Sequence, residues 1–173
     1  MTTAVALLTL RPAASADAHA IHALIVRHLD EGHLLPRALE EIVVHAQRFV
    51  VAVDDENRVM GCADLAPLSR SVAEIRSLVV NAEARSEGIG GRLVDALITH
   101  ARSAGFDRLC AFTHAPQYFV RLGFSIVPHD WIPEKISTDC GSCALFRRCG
   151  QYAVMVPIFQ ARQSGVPLAS LHG

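Results

Sequence analysis

Positive charge is not in surplus in this chain. Its 173 residues carry 16 Lys and Arg against 17 Asp and Glu, a formal net charge of −1. That balance argues against nucleic acid or an anionic membrane as partner. The opening stretch MTTAVALLTLRP lacks the basic segment of a secretory leader, and its apolar run is too short to span a bilayer. It reads instead as a first strand. Five cysteines, an odd number without an export signal, argue for reduced thiols in a cytoplasm rather than for a disulfide framework. Repeats, low-complexity tracts and linkers are absent as well. The expectation is one domain over residues 1–160, with a Cys-containing loop at 133–150 and a C-terminal tail at 161–173. At 51% hydrophobic and 19% charged, the composition is that of a soluble globular chain with a substantial core.

Two phosphate-binding motifs are missing too. No Gly-x4-Gly-Lys-Ser/Thr string occurs, and a Gly-x-Gly-x-x-Gly fingerprint starting at Gly88 would need glycine where Leu93 stands. What is there is NAEARSEGIGGRLVDALITHA, in which Gly88, Gly90 and Gly91 run directly into an amphipathic helical pattern. Glycine lets a backbone turn sharply and approach a ligand closely. A helix start offers unpaired N–H groups and a partial positive charge. Together they suit an anion, most naturally a phosphate.

Around this stretch the patterning predicts alternating elements. A strand in VALLTLRP ends at Pro12, a helix capped by Ser15 runs to about Leu29, and a second helix begins at Pro36. FVVAV (Phe49 to Val53) and RVMGCADLAPL form a hairpin, and AEIRSLVV (Ala73 to Val80) follows as a strand. The long helix after the glycines ends at Gly105. RLCAFTH (Arg108 to His114), a short helix from Pro116 to Gly123, FSIVPHDW and YAVMVPI (Tyr152 to Ile158) complete the order. Early hairpins and later helical connections favour an α/β domain built on a mixed sheet over a doubly wound nucleotide fold.

The string Arg85-x-x-Gly88-x-Gly90, set between a strand and an amphipathic helix, resembles the signature of the GNAT superfamily of acetyl-CoA-dependent N-acetyltransferases. The resemblance implies a mostly antiparallel sheet flanked by helices and splayed between its fourth and fifth strands. It also implies a loop over Arg85, Ser86, Glu87, Gly88, Ile89, Gly90 and Gly91 whose amides wrap the coenzyme A pyrophosphate. Leu78, Val79 and Val80 would pair with the pantetheine arm, and the short helix carrying Phe119 would flank it.

LLPR (Leu34 to Arg37), AEIRSLVV, YFVRLGF and PEKISTDCGSCALFRRC further resemble the short bacterial N-acetylglutamate synthases. That likeness implies an amino-acid acceptor, L-glutamate foremost, in arginine biosynthesis. An acceptor carboxylate needs cations, because buried carboxylates must be paired. Strand alternation predicts Glu74, Arg76, Leu78 and Val80 on one face of AEIRSLVV and Ile75, Ser77 and Val79 on the other. Arg76 is the leading clamp, with Arg37 and Lys135 as further candidates; an internal pair with Glu74 is the structural alternative for Arg76. Glu74 is the candidate base by resemblance, and the backbone N–H of Val79 or its neighbour would polarise the thioester oxygen. Where many family members carry a general-acid Tyr, this chain has Phe119. Tyr118, one residue earlier, points about 100° away around a helix, so the acid stays unassigned.

Cys140, Cys143 and Cys149 form the remaining motif. Their spacing could hold a structural zinc with His129 or Asp139 as fourth ligand, or they are three reduced thiols beside the acceptor pocket. Two alternatives to the leading function stay open: a GNAT enzyme acting on another amine or a protein N-terminus, and a coenzyme A-binding regulator without turnover that senses metal or redox state. Oligomeric state is also open, a homodimer included.

Overall fold

The computed structural model describes residues 8–158. Seven strands form one sheet in the order β1-β2-β3-β4-β5-β7-β6. Strands β1 (Thr9–Pro12), β2 (Phe49–Val53), β3 (Val59–Pro67) and β4 (Val72–Val80) make an antiparallel run. β5 (Arg108–Thr113) pairs in parallel with β4, and β7 (Tyr152–Pro157) inserts antiparallel between β5 and β6 (Ser125–Val127). Strand β2, apolar at all five positions, is buried at all five because helices cover both faces of the sheet. Phe49, Val51 and Val53 meet the layer of α1 (Ala18–Arg27) and α2 (Leu39–Val44). Val50 and Ala52 meet α3 (Ile89–Ser103), whose Ile89, Leu93, Leu97 and Ala101 form its buried stripe.

Two features of β4 create the site. Its parallel pairing with β5 covers only Val72↔Arg108, Ala73↔Leu109 and Glu74↔Cys110, after which the strands part. The register against β3 also shifts between Cys62 and Asp64, and Ser77 sits at φ 50°. This bulge breaks the expected alternation. Ala73 and Ile75 belong to the α3 face, and so do Leu78 and Val80, while Val79 packs in the α1 cluster. The single-face set Glu74, Arg76, Leu78, Val80 is therefore corrected: parity reverses at Ser77, as an extra residue in one strand requires.

Smaller differences have local causes. Ser15 does not cap the first helix; Asp17 Oδ2 accepts the Ala14 N–H (2.7 Å) and its carboxylate is gripped by both terminal nitrogens of Arg11. The second helix starts at Leu39 rather than Pro36, behind an extended Ala38. FSIVPHDW is strand only through Val127, because Pro128 ends it and a single 3-10 turn, His129–Trp131, follows. A short helix, α4 (Pro116–Arg121), follows β5, and the expected Cys loop contains another, α5 (Pro133–Thr138); each has proline at its start. The tail at 161–173 lies outside the described residues.

Candidate active site

The parting of β4 and β5 opens a cavity of about 1030 Å³ that reaches from the glycine loop to α5. At one end stands the start of α3. Gly88 is its N-cap in the left-handed region, φ 72°, where a Cβ would be strained. The first helical bond is Arg92 N–H to Gly88 O (3.1 Å), so the amides of Ile89, Gly90 and Gly91 have no acceptor within the helix. Arg85, Ser86, Gly88, Ile89, Gly90 and Gly91 line the cavity, as do Leu78, Val79, Val80 and Phe119. Glu87 is not among the lining residues; it lies between Ser86 (φ 75°) and Gly88, both in the left-handed region. Arg85 is tied down rather than extended: it donates to both oxygens of Glu31 (2.8 and 2.7 Å) and to Val80 O (3.2 Å). That contact holds the Glu31 carboxyl below its usual range.

The open edge of β4 can be read from its ladder. Asn81 N–H donates to Met60 O (2.7 Å), and the register continues Val80↔Gly61, Val79↔Cys62. In an antiparallel ladder successive residues point their N–H and C=O to opposite sides. Val79's amide therefore faces β3 and Val80's faces the cavity edge, where its carbonyl accepts from Arg85. Of the two options named for the polarising amide, Val79 or its neighbour, the ladder favours the neighbour.

At the other end, charge is concentrated. Glu74, with its side chain 5% exposed, accepts from Arg76 Nε (2.7 Å) and from Lys135 Nζ at Oε1 (2.9 Å) and Oε2 (3.0 Å). Asp139 Oδ2 accepts from the same Lys135 Nζ (2.7 Å) and from Arg76. Burial works to raise the Asp139 carboxyl, but the bonds from Lys135 and Arg76 outweigh it and hold it below the usual range. Arg37, nearly buried, is fixed by Glu41, Ser77 Oγ and the wholly buried Asp64. There burial wins, and the Asp64 carboxyl is pushed up. Arg37, Arg76, Lys135 and Glu74 are thus brought to one wall, and both structural and ligand-binding readings of Arg76 retain support, since it does pair with Glu74.

The metal reading of Cys140, Cys143 and Cys149 finds no support. All five cysteines are free, and no group of three or more His, Cys, Asp or Glu among the described residues is arranged to hold a metal ion. The proposed fourth ligands are engaged elsewhere: Asp139 in its ion pairs, and His129 Nε2 with Gln151 O (2.9 Å). The three thiols line the cavity instead.

Residues that sequence reasoning passed over include Asp64, Asp139 as an ion-pair partner, and Tyr118 as a neighbour of the glycine loop. An acid inside the apolar run Cys62-Ala63-Asp64-Leu65-Ala66 was a visible signal, because a buried charge needs a partner. Tyr118 was less readable: its hydroxyl sits against Gly90, 2.3 Å from where a Cβ would be.

This arrangement, a glycine-rich helix start beside a splayed strand edge, is that of an acyltransferase that takes up a nucleotide thioester. A family model described as Acetyltransferase (GNAT) family matches residues 15–124, and the chain belongs to that family of N-acetyltransferases. It is 34% identical over 145 residues to a protein of Chlorobaculum tepidum named as an uncharacterized N-acetyltransferase, covering 84% of this chain and 93% of that one. It is 34% identical over 136 residues to an amino-acid acetyltransferase of Neisseria meningitidis, covering 78% of this chain but 31% of the relative. The solved N-acetylglutamate synthase of Neisseria gonorrhoeae, complexed with coenzyme A and N-acetyl-glutamate, superposes with a TM-score of 0.79 at 29% identity, over 90% of this chain and 36% of that one. The chain therefore spans about a third of the length of these Neisseria proteins.

Proposed function

We propose that the protein transfers acetyl from acetyl-CoA to the α-amino group of an amino acid, with L-glutamate as the leading acceptor. The observation that carries this reading is the wall of Arg37, Arg76 and Lys135 at the far end of a cavity whose near end is the free helix start. Likeness to the amino-acid acetyltransferases and to the N-acetylglutamate synthase supports the same acceptor class.

Acetyl-CoA brings the acetyl group as a thioester; the free amine attacks its carbonyl carbon, the C–S bond breaks as the tetrahedral adduct collapses, and coenzyme A leaves as a thiolate that takes its proton from solvent. The amides of residues 85–91 would hold the diphosphate, and the open edge of β4 would align the pantetheine arm. An amide of β4 at the cavity edge, Val80 by the ladder, would face the negative charge that develops on the carbonyl oxygen. Arg76 and Lys135 would hold an acceptor carboxylate and so orient the amine. Glu74, both oxygens already engaged, is suited to receive the ammonium proton through a water rather than by direct contact.

The test is thiol release from acetyl-CoA over a panel of amino acids, with simple amines and an N-terminal peptide alongside. Glutamate-dependent release is expected. Release with the peptide or simple amines alone would move the acceptor outside this class, and tight acetyl-CoA binding without turnover on any amine would favour a regulator. In Arg76→Ala, loss of one charge-assisted bidentate contact, about 1.5–3 kcal/mol, should raise acceptor KM roughly 10- to 100-fold. Acetyl-CoA affinity should stay nearly constant; equal loss of both would assign Arg76 to structure alone.

A further inference from the structure

The four charges at the acceptor end close into a ring. Glu74 binds Arg76 and Lys135, and Asp139 binds the same two cations, so carboxylates and cations alternate and the ring is neutral. The two carboxylates differ in kind. Glu74 stands on the sheet with its side chain 5% exposed, whereas that of Asp139 is 38% exposed, at the C-terminal end of the six-residue α5. Asp139 also lines the cavity and accepts both of its bonds through a single atom, Oδ2.

We propose that Asp139 is a built-in occupant of the acceptor's carboxylate seat, and that a carboxylate-bearing acceptor binds by displacing it from Arg76 and Lys135. The inference rests on the reading of this wall as the acceptor site. Both cations keep their grip on Glu74 when Asp139 leaves, Arg76 through Nε and Lys135 through contacts to both oxygens, so the seat survives the exchange. Without Asp139 the ring carries one uncompensated positive charge on partly buried groups, a state that calls for an anion. The exchange of one carboxylate for another keeps donors and charge the same. An amine without a carboxylate cannot make it, so Asp139 closes the seat against such acceptors and acts as a specificity-determining residue. Displacement also removes the Arg76–Asp139 pair that ties the C-terminal end of α5 to β4, next to the Cys140–Ser142 turn on the cavity wall.

An internal competitor lowers apparent affinity by its effective concentration. In Asp139→Asn, which keeps size and removes charge, the Kd of glutarate measured by calorimetry should fall about tenfold. The KM of the best amino acid from the panel should fall by a similar factor. An unchanged or weaker glutarate affinity, with acetyl-CoA binding intact to show that the variant is folded, overturns the proposal. Glutarate carries carboxylates but no amine, so its titration reads the seat even if no amino acid is acetylated and the proposed function falls. A second measurement uses the wild-type protein: amide exchange over residues 139–143 should quicken when glutarate binds. Slower or unchanged exchange there overturns the proposal independently of any variant.

Discussion

Replacing Gly90 by alanine should separate two roles of the glycine loop. Gly90 lies in the first turn of α3 with ordinary helical backbone. By propensity alone the change would stabilise the helix, by up to about 1 kcal/mol. The new Cβ, however, would sit 2.3 Å from the Tyr118 hydroxyl oxygen, with the ring carbon bearing it at 3.4 Å and Val80 Cγ2 at 3.8 Å. Only the hydroxyl is closer than ordinary contact. Overpacking of this kind costs about 1–3 kcal/mol, a drop in Tm of roughly 3–9 °C at about 3 °C per kcal/mol for a chain of this size. Tyr118→Phe deletes the offending atom and leaves the ring. In that background Gly90→Ala should be neutral or slightly stabilising, giving a coupling of about 1–3 kcal/mol in the double-mutant cycle.

Calorimetric titration with acetyl-CoA then isolates the ligand. If the amides of Ile89, Gly90 and Gly91 grip a diphosphate, a methyl at position 90 crowds it, and the stable double variant should still bind acetyl-CoA at least tenfold more weakly than Tyr118→Phe alone, about 1.4 kcal/mol. The same Tm loss in both backgrounds would refute the packing argument. Restored stability with unchanged acetyl-CoA affinity would refute the placement of the diphosphate.

Three further outcomes follow from local geometry. Ser77 at φ 50° makes Ser77→Gly more stable than Ser77→Ala by about 1 kcal/mol; both lose the hydrogen bond from Arg37, so urea midpoints compare backbone strain alone, and equal stability would refute it. The bonds from Arg11 hold the Asp17 carboxyl below its usual range, with the Ala14 N–H contributing after them. A lowered folded value gives stability that is full above the ordinary pKa and is lost as pH falls through the folded one. Asp17→Asn should therefore cost about 1–2 kcal/mol at pH 7 by urea unfolding, and the gap to wild type should close as pH drops from about 4 toward 2; a gap that holds constant would refute the linkage. Burial pushes the Cys110 thiol up to about 12 and raises that of Cys62 as well; at pH 8 an aromatic disulfide reagent should label Cys140, Cys143 and Cys149 quickly and the two strand cysteines only on unfolding, whereas five equal rates would contradict the burial.

The parts of the molecule that announce themselves in the sequence are those decided locally. FVVAV is a strand between two covered faces because nothing in it tolerates water. The long helix shows its stripe, its glycine start and the stop at Gly105, φ 86°. The ion-pair ring is illegible for the opposite reason: Arg76 and Asp139 are 63 positions apart, and no propensity links them. Helix α5 was hidden because six residues give less than two turns of periodicity, although Pro133 marked its start. The bulge at Ser77 belongs to the register of two strands, not to either one, and serine is an ordinary residue that carries no sign of a positive φ.

That bulge makes one strand serve both ends of the cavity. Before it, Glu74 and Arg76 point to the face where α5 supplies Lys135 and Asp139. Were alternation unbroken, Leu78 and Val80 would follow them onto that face, and apolar side chains would adjoin the ion-pair ring while Val79 turned toward α3. With the extra residue inserted, Leu78 and Val80 return to the α3 core and Val79 fills the α1 cluster. The second half of β4 then presents main-chain groups rather than side chains to the gap left by β5. Those are the groups a pantetheine arm can pair with, and the charged half is what a zwitterionic acceptor needs. On the proposed function, a shift of one residue in register sets the polar seat and the strand-like seat end to end, and the reacting carbonyl would fall near their junction.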